Sequence, residues 1–82
     1  MKPSGTLKRY GWIKYAIGNK ERGFCIMGAV DHAYPVLGNE SWKYNDVYAA
    51  IRSKIMVNIT HWNDEVCKSK EEAIALLESI GE

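Results

Sequence analysis

Cys25, His61 and Asp64 are the residues of this chain best suited to covalent chemistry. A thiol attacks as its thiolate, and a cysteine at the start of a helix is stabilised in that form by the helix dipole and free amides. His61 would then act as base, with Asn63 or Asp64 orienting its imidazole, in the order Cys, His, Asn/Asp. Two features oppose this scheme. His61 and Asn63 stand only two residues apart, and 82 residues leave little room for a substrate cleft. A cysteine in an apolar run more often packs as a small hydrophobe.

A metal site would need tighter spacing than the sequence offers. Cys25-x6-His32 and His61-x5-Cys67 supply two sulfurs and two nitrogens, a set that zinc accepts tetrahedrally, but structural zinc ligands come in closer pairs. If Cys25 starts a helix, His32 lies two turns along it, too far to share one ion easily. A surface histidine is the simpler reading, and no metal or cofactor is expected.

The aromatic residues point to binding instead. Tyr10, Trp12 and Tyr15 alternate with Lys8, Arg9, Lys14 and Lys20, the composition of a stacking platform for single-stranded nucleic acid. Three Trp and five Tyr exceed what so small a core hides, so some must face solvent, as they do at protein interfaces. Trp62, Asn63 and Asp64 form a second candidate binding group. There the plainer reading is structural: Trp62 buries its ring, while Asn63 and Asp64 bond to neighbouring amides. No Gly-rich phosphate loop is present. A protein partner is favoured over nucleic acid, and the oligomeric state stays open.

Composition narrows the classes further. With 46% hydrophobic and 26% charged residues, the chain reads as a single globular domain over residues 1–82. No apolar run reaches the roughly 20 residues that span a bilayer, and Lys8, Arg9 and Lys14 break up any signal peptide. A cytoplasmic, membrane-independent protein is expected. Two cysteines without a secretion signal read as free thiols. The net charge of +1 conceals an asymmetry: residues 1–23 sum to +5 and the remainder to −4. Such a bipolar surface suits an anionic partner, or pairs internally with an acidic C-terminal helix.

The elements that must position these residues can be read in turn. Residues 1–6 look frayed, and 10–17 read as a short strand, although Leu7, Tyr10 and Lys14 also fit a helix. Residues 24–34 form a helix starting near Cys25, with Ile26, Ala29, Val30 and Ala33 at helical spacing. Gly28 within it predicts a close backbone neighbour. Asn45 reads as the cap of a helix over 46–55, with Val47, Ala50, Ile51 and Ile55 inward. Residues 56–60 are β-prone, and His61-Trp62-Asn63-Asp64 reads as a turn. Ser69-x-x-Glu72 is a capping box opening a helix over 70–80, with Ala73, Leu76, Leu77 and Ile80 on one face. The expected fold is α+β and mostly helical: one short N-terminal β segment and three helices.

Four motifs in order complete the picture: Gly11-Trp12, Cys25-Ile26-Met27-Gly28-Ala29-Val30, Trp62-Asn63-Asp64, and Lys68-Ser69-Lys70-Glu71-Glu72-Ala73-Ile74-Ala75-Leu76-Leu77-Glu78. This order resembles a family of small uncharacterised proteins of actinobacteria and bacteriophages. Their pattern is Gly-Trp, Cys-x-x-Gly-Ala, Trp-Asn-Asp and a helix of the type Thr-x-Glu-Glu-Val-Ile-x-x-Leu-Glu. The resemblance covers the chain from about Gly11 onward. This sequence departs from it in two ways, with Ser69 for the usual threonine and a helix before Gly-Trp that is shortened or missing. The resemblance implies a compact, mostly helical domain in a phage or prophage setting, and it assigns no activity either way. The expected function is a non-enzymatic binding module that docks on a host or phage protein, with a cysteine-dependent hydrolase or transferase as the alternative.

Overall fold

Proline suits the first turn of a helix, where its fixed φ is pre-set and its missing N–H is not needed. Pro3 opens helix α1, which spans Pro3–Tyr10 in the computed structural model, a description of residues 1–82. Residues 1–6 were expected to fray, and they are instead held. Pro3, Ser4, Thr6 and Leu7 are buried, and the Ser4 amide donates to the Glu82 carbonyl at 3.0 Å. The two chain ends are thereby tied together. A helix of eight residues thus does precede Gly11-Trp12, so it is not missing.

Residues 10–17 do not form the expected strand. Gly11 ends α1 at φ +102°, and the chain then runs irregularly to a hairpin of two very short strands, β1 (Gly18–Asn19) and β2 (Gly23–Phe24). Only Trp12 bridges to Phe24. The β content therefore lies one turn later than its β-prone residues, because Asn19 organises the tip. Its Oδ1 accepts from the amides of Glu21 and Arg22 at 2.9 and 2.8 Å, an Asx turn that fixes the reversal.

Helix α2 spans Ile26–Ala33 and is capped by Cys25, as its spacing predicts. The close neighbour expected at Gly28 is Ile17: a Cβ on Gly28 would collide with the Ile17 carbonyl oxygen. Helix α3 spans Ser41–Ile55, starting five residues before the expected 46–55. Asn45 lies inside it and caps nothing; Glu40 stands at the N-cap without a side-chain bond.

Residues 56–60 are not β. Met56 takes a left-handed conformation at φ +61° and stops α3. Asn58 Oδ1 accepts from the His61 amide at 3.2 Å and opens α4 (Ile59–His61). The expected turn at 61–64 is also helical: α4 runs into a π-helical turn over Trp62–Val66, closed by the Cys67 amide on the Trp62 carbonyl at 2.8 Å. Helix α5 spans Lys70–Ser79 with Ser69 Oγ accepting from the Glu72 amide at 3.2 Å. The returning Glu72 carboxylate reaches the Lys68 amide at 3.3 Å, one residue before the Ser69 amide of an ideal capping box.

Helix α1 packs on α2 and α5, and α2 on α3 and α4. The core is Leu7, Phe24, Ile26, Ala29, Val30, Val47, Ile51, Ile59, Cys67, Ala73, Leu76 and Leu77. The molecule is an α+β domain, mostly helical, with five helices and one two-stranded antiparallel sheet. No helix is long and apolar enough to cross a membrane.

Candidate functional site

The π turn has a direct consequence for side chains. Its wider winding places Asn63 inward, where the residue is 1% exposed, and leaves Asp64 and Glu65 nearer the surface. Asn63 uses its whole amide. Oδ1 accepts from the Trp12 indole N–H at 2.7 Å and from the Ile26 amide at 3.0 Å. Nδ2 donates to the Ile13 carbonyl at 3.1 Å and to Asp64 Oδ1 at 2.8 Å. One buried side chain thus joins the start of α2, the irregular segment after α1 and the π turn. Buried polar groups that lose a partner cost about 1–3 kcal/mol each, so this junction locks the three segments in register.

Asp64 carries the junction outward. Its Oδ1 also accepts from the Tyr15 amide at 2.9 Å, and the Tyr15 hydroxyl donates to Glu65 Oε2 at 2.8 Å. Tyr15 is held at φ +65°, a left-handed conformation that costs a non-glycine residue roughly 1–3 kcal/mol. The two carboxylates of the π turn offset that cost and set the direction of residues 15–17. The Glu65 hydrogen bond also raises the Tyr15 phenol above its ordinary range.

Beside this segment lies an open cleft of about 300 Å³, lined by Tyr15, Ala16, Ile17, Cys25, Thr60 and Asp64. Its rim is exposed and apolar, with Tyr15 at 70% and Ile17 at 60% exposure. π turns and left-handed non-glycine residues both concentrate at functional sites, and this cleft is where the two meet.

Each sequence-stated site residue has a definite place. Cys25 and Asp64 both line the cleft, while His61 is exposed and does not line it. The Cys25 thiol is committed to capping α2, its Sγ accepting from the Gly28 amide at 3.3 Å. Burial pushes this thiol up, outweighing the amides of Gly28 and Met27 that pull it down, and Asp64 adds to the rise. The helix N-terminus therefore does not produce a thiolate here. Cys67 is also buried, its thiol raised by burial and donating to the Ser69 carbonyl at 3.2 Å. No group of three or more His, Cys, Asp or Glu converges as a metal site would require.

The aromatic–basic set separates into packed and free members. Tyr10 packs edge-on against Phe24 and His32 at 5.9 and 5.6 Å between ring centres. Trp12 donates to Asn63, and Lys14 lies over its ring at 5.5 Å. Trp62 is half-buried against the core. Among the set's aromatic members, Tyr15 alone is exposed. The basic N-terminus meets the acidic C-terminal helix directly: Lys8 Nζ pairs with Glu78 Oε2 at 2.8 Å, and Lys70 Nζ reaches the Lys8 carbonyl at 3.5 Å.

Sequence reasoning missed Ala16, Ile17 and Thr60 as lining residues. Ile17 carried one signal, an aliphatic side chain just before Gly18-Asn19, at the point where a hairpin forces residues outward. Ala16 and Thr60 carried none.

No curated protein and no solved structure matches the chain. Residues 4–81 do match the family of unknown function DUF6197, and the chain belongs to that family.

Proposed function

We propose that this protein is a non-enzymatic binding module that docks on a protein partner through the cleft at Tyr15, Ile17, Cys25 and Asp64. The supporting observation is the combination at one place of an exposed apolar rim with a backbone fixed from below by Asn63 and Asp64. A rim ordered before binding loses less entropy on association, which is how a small surface attains affinity. An apolar side chain of the partner would enter between Tyr15 and Ile17, with the Asp64 carboxylate taking a donor at the edge. The sequence resemblance to actinobacterial and phage proteins supports a phage or mobile-element origin. The partner would then be a host or phage protein, met in the cytoplasm of the bacterial host and bearing on a host process such as defence.

The test is comparative capture. A photo-crosslinking residue at position 17 should trap a defined protein in host lysate, and Ile17→Asp should abolish recovery of that protein by the tagged chain. Leu37→Asp, at a site 98% exposed and outside the cleft, should leave recovery unchanged. Equal recovery by Ile17→Asp and wild type would exclude the cleft as the docking surface.

A cysteine-dependent hydrolase or transferase is the second reading, favoured by one observation: Cys25 and Asp64 line the same cleft. Its requirement for a thiolate is opposed by the burial that raises Cys25.

A further inference from the structure

The cleft at Tyr15, Ile17, Cys25 and Asp64 selects by charge as well as by shape. At about 300 Å³ it stands at the small end of the range for ligand sites, with room for one long side chain. No lining residue is basic. Asp64 lines the cleft, and Glu65 reaches its rim through the Tyr15 hydroxyl at 2.8 Å. The two ion pairs of the chain, Lys8–Glu78 and Lys43–Glu40, leave both carboxylates without a cation. Lys14, the basic residue next to Tyr15, lies over the Trp12 ring at 5.5 Å instead. Both hydrogen bonds of Asp64 use Oδ1, so Oδ2 is open to a donor from outside.

An anion is disfavoured at the same place. The start of a helix binds anions through its free amides, and α2 begins beside Cys25 of the cleft lining. Those amides are engaged inside the chain: Ile26 donates to Asn63 Oδ1 at 3.0 Å and Gly28 to Cys25 Sγ at 3.3 Å. We propose that the cleft takes an arginine side chain of the protein partner, its guanidinium on Asp64 and its stem between Tyr15 and Ile17. This rests on the docking reading above and identifies the entering group. The apolar part is the methylene stem, and the donor at the edge is the guanidinium.

Each part of that side chain meets a matching surface. A guanidinium is planar, weakly hydrated and stacks on aromatic faces, whereas an ammonium is compact and strongly hydrated. Tyr15 is 70% exposed, and it is held at both ends, by Asp64 at its amide and by Glu65 at its hydroxyl. A cation is drawn to the face of such a ring, and the Asp64 carboxylate adds a charge-assisted hydrogen bond. Long basic side chains cover apolar surface with their stems, which suits Ile17 at 60% exposure. Because ring and carboxylate are already placed, little order is lost when the side chain enters.

The experiment is a titration of the isotope-labelled full chain with the capped peptide acetyl-Gly-Arg-Gly-amide, followed by backbone amide shifts. Saturable shifts at residues 15–17, 25 and 64 are expected, with dissociation in the millimolar range. The same peptide with lysine should bind at least about threefold more weakly, and with citrulline, the neutral isostere, at least about tenfold more weakly. Asp64→Asn keeps an oxygen for the Tyr15 and Asn63 bonds and should weaken the arginine peptide at least about tenfold. The citrulline comparison uses the wild-type chain, so it decides the matter even where Asp64→Asn disturbs the junction. No shifts up to about 20 mM peptide would overturn the proposal, and so would equal binding of the lysine or citrulline peptide. The docking reading fails separately, when Ile17→Asp recovers the partner from lysate as well as wild type does. Recovery lost in Ile17→Asp but kept in full by Asp64→Asn would leave docking standing and overturn the arginine.

Discussion

The Asn63 junction and the outer face of α3 use similar residues to opposite ends. At the junction an asparagine, an aspartate and a tryptophan find partners within the chain, and every bond of the Asn63 amide is made internally. On α3 an asparagine, an aspartate and a tryptophan, Asn45, Asp46 and Trp42, are all exposed. The difference lies in geometry rather than composition. The π turn directs Asn63 into the protein, while regular α-helical winding carries Asn45, Asp46 and Trp42 away from Val47 and Ile51. Polar satisfaction builds one region, and the other is left facing solvent.

Breaking the junction should have the largest effect. Asn63→Ala leaves the Trp12 indole N–H, the Ile26 amide and the Ile13 carbonyl without their partner, at a cost of about 3–5 kcal/mol. A domain of this size has a total stability near the lower end of about 5–15 kcal/mol, so urea denaturation should show the variant largely unfolded at modest denaturant. The cleft should loosen along with it. Gly28→Ala comes next. Alanine favours a helix by about 1 kcal/mol, but here its methyl collides with the Ile17 carbonyl. A net loss of about 1–3 kcal/mol is expected, with amide shifts concentrated at residues 15–17 in a heteronuclear spectrum.

A pH titration probes the tied chain ends. Tyr34 donates to Glu82 Oε1 at 2.8 Å, and burial together with that bond pushes its phenol up to about 12. The folded state therefore holds this proton more tightly than the unfolded chain, where tyrosine titrates near 10. Its stabilisation is complete below pH 10 and disappears as the pH rises from about 10 to about 12. Tyr34→Phe should flatten the fall in melting temperature across that window. The smallest effect belongs to α3: Trp42→Gln should change the stability of the dilute chain by no more than about 0.5 kcal/mol, which would sharpen the contrast with Asn63.

Where local signals agree with tertiary packing, the sequence is informative. The capped helix at Lys70–Ser79, the helix begun by Cys25 and the close approach at Gly28 were all readable, because apolar spacing, caps and a glycine in a helix each have one dominant physical cause. The helix over Pro3–Tyr10 was not, since its burial depends on contacts with α5 and on a hydrogen bond from Ser4 to Glu82, 78 residues away. The π turn escaped for a similar reason. Trp62-Asn63-Asp64 has good turn chemistry, but the Asn58 cap starts a helical turn just before it, and the long-range bonds of Asn63 to Trp12 and Ile26 hold it in the π conformation. Of the candidate site, Tyr15, Cys25 and Asp64 were readable as residue types, but their convergence on one cleft was not.

The reading of the cleft as a binding surface turns most directly on the state of Cys25. Its rate of alkylation by iodoacetamide can be followed across pH by peptide mass mapping, which separates it from Cys67. The thiol is buried, caps α2 and is raised by that burial. Alkylation should therefore be slow at neutral pH and rise only above the free-cysteine range near 8.5. A fast reaction with a midpoint well below 8.5 would reveal a thiolate in the cleft, and would replace the binding module with a cysteine enzyme.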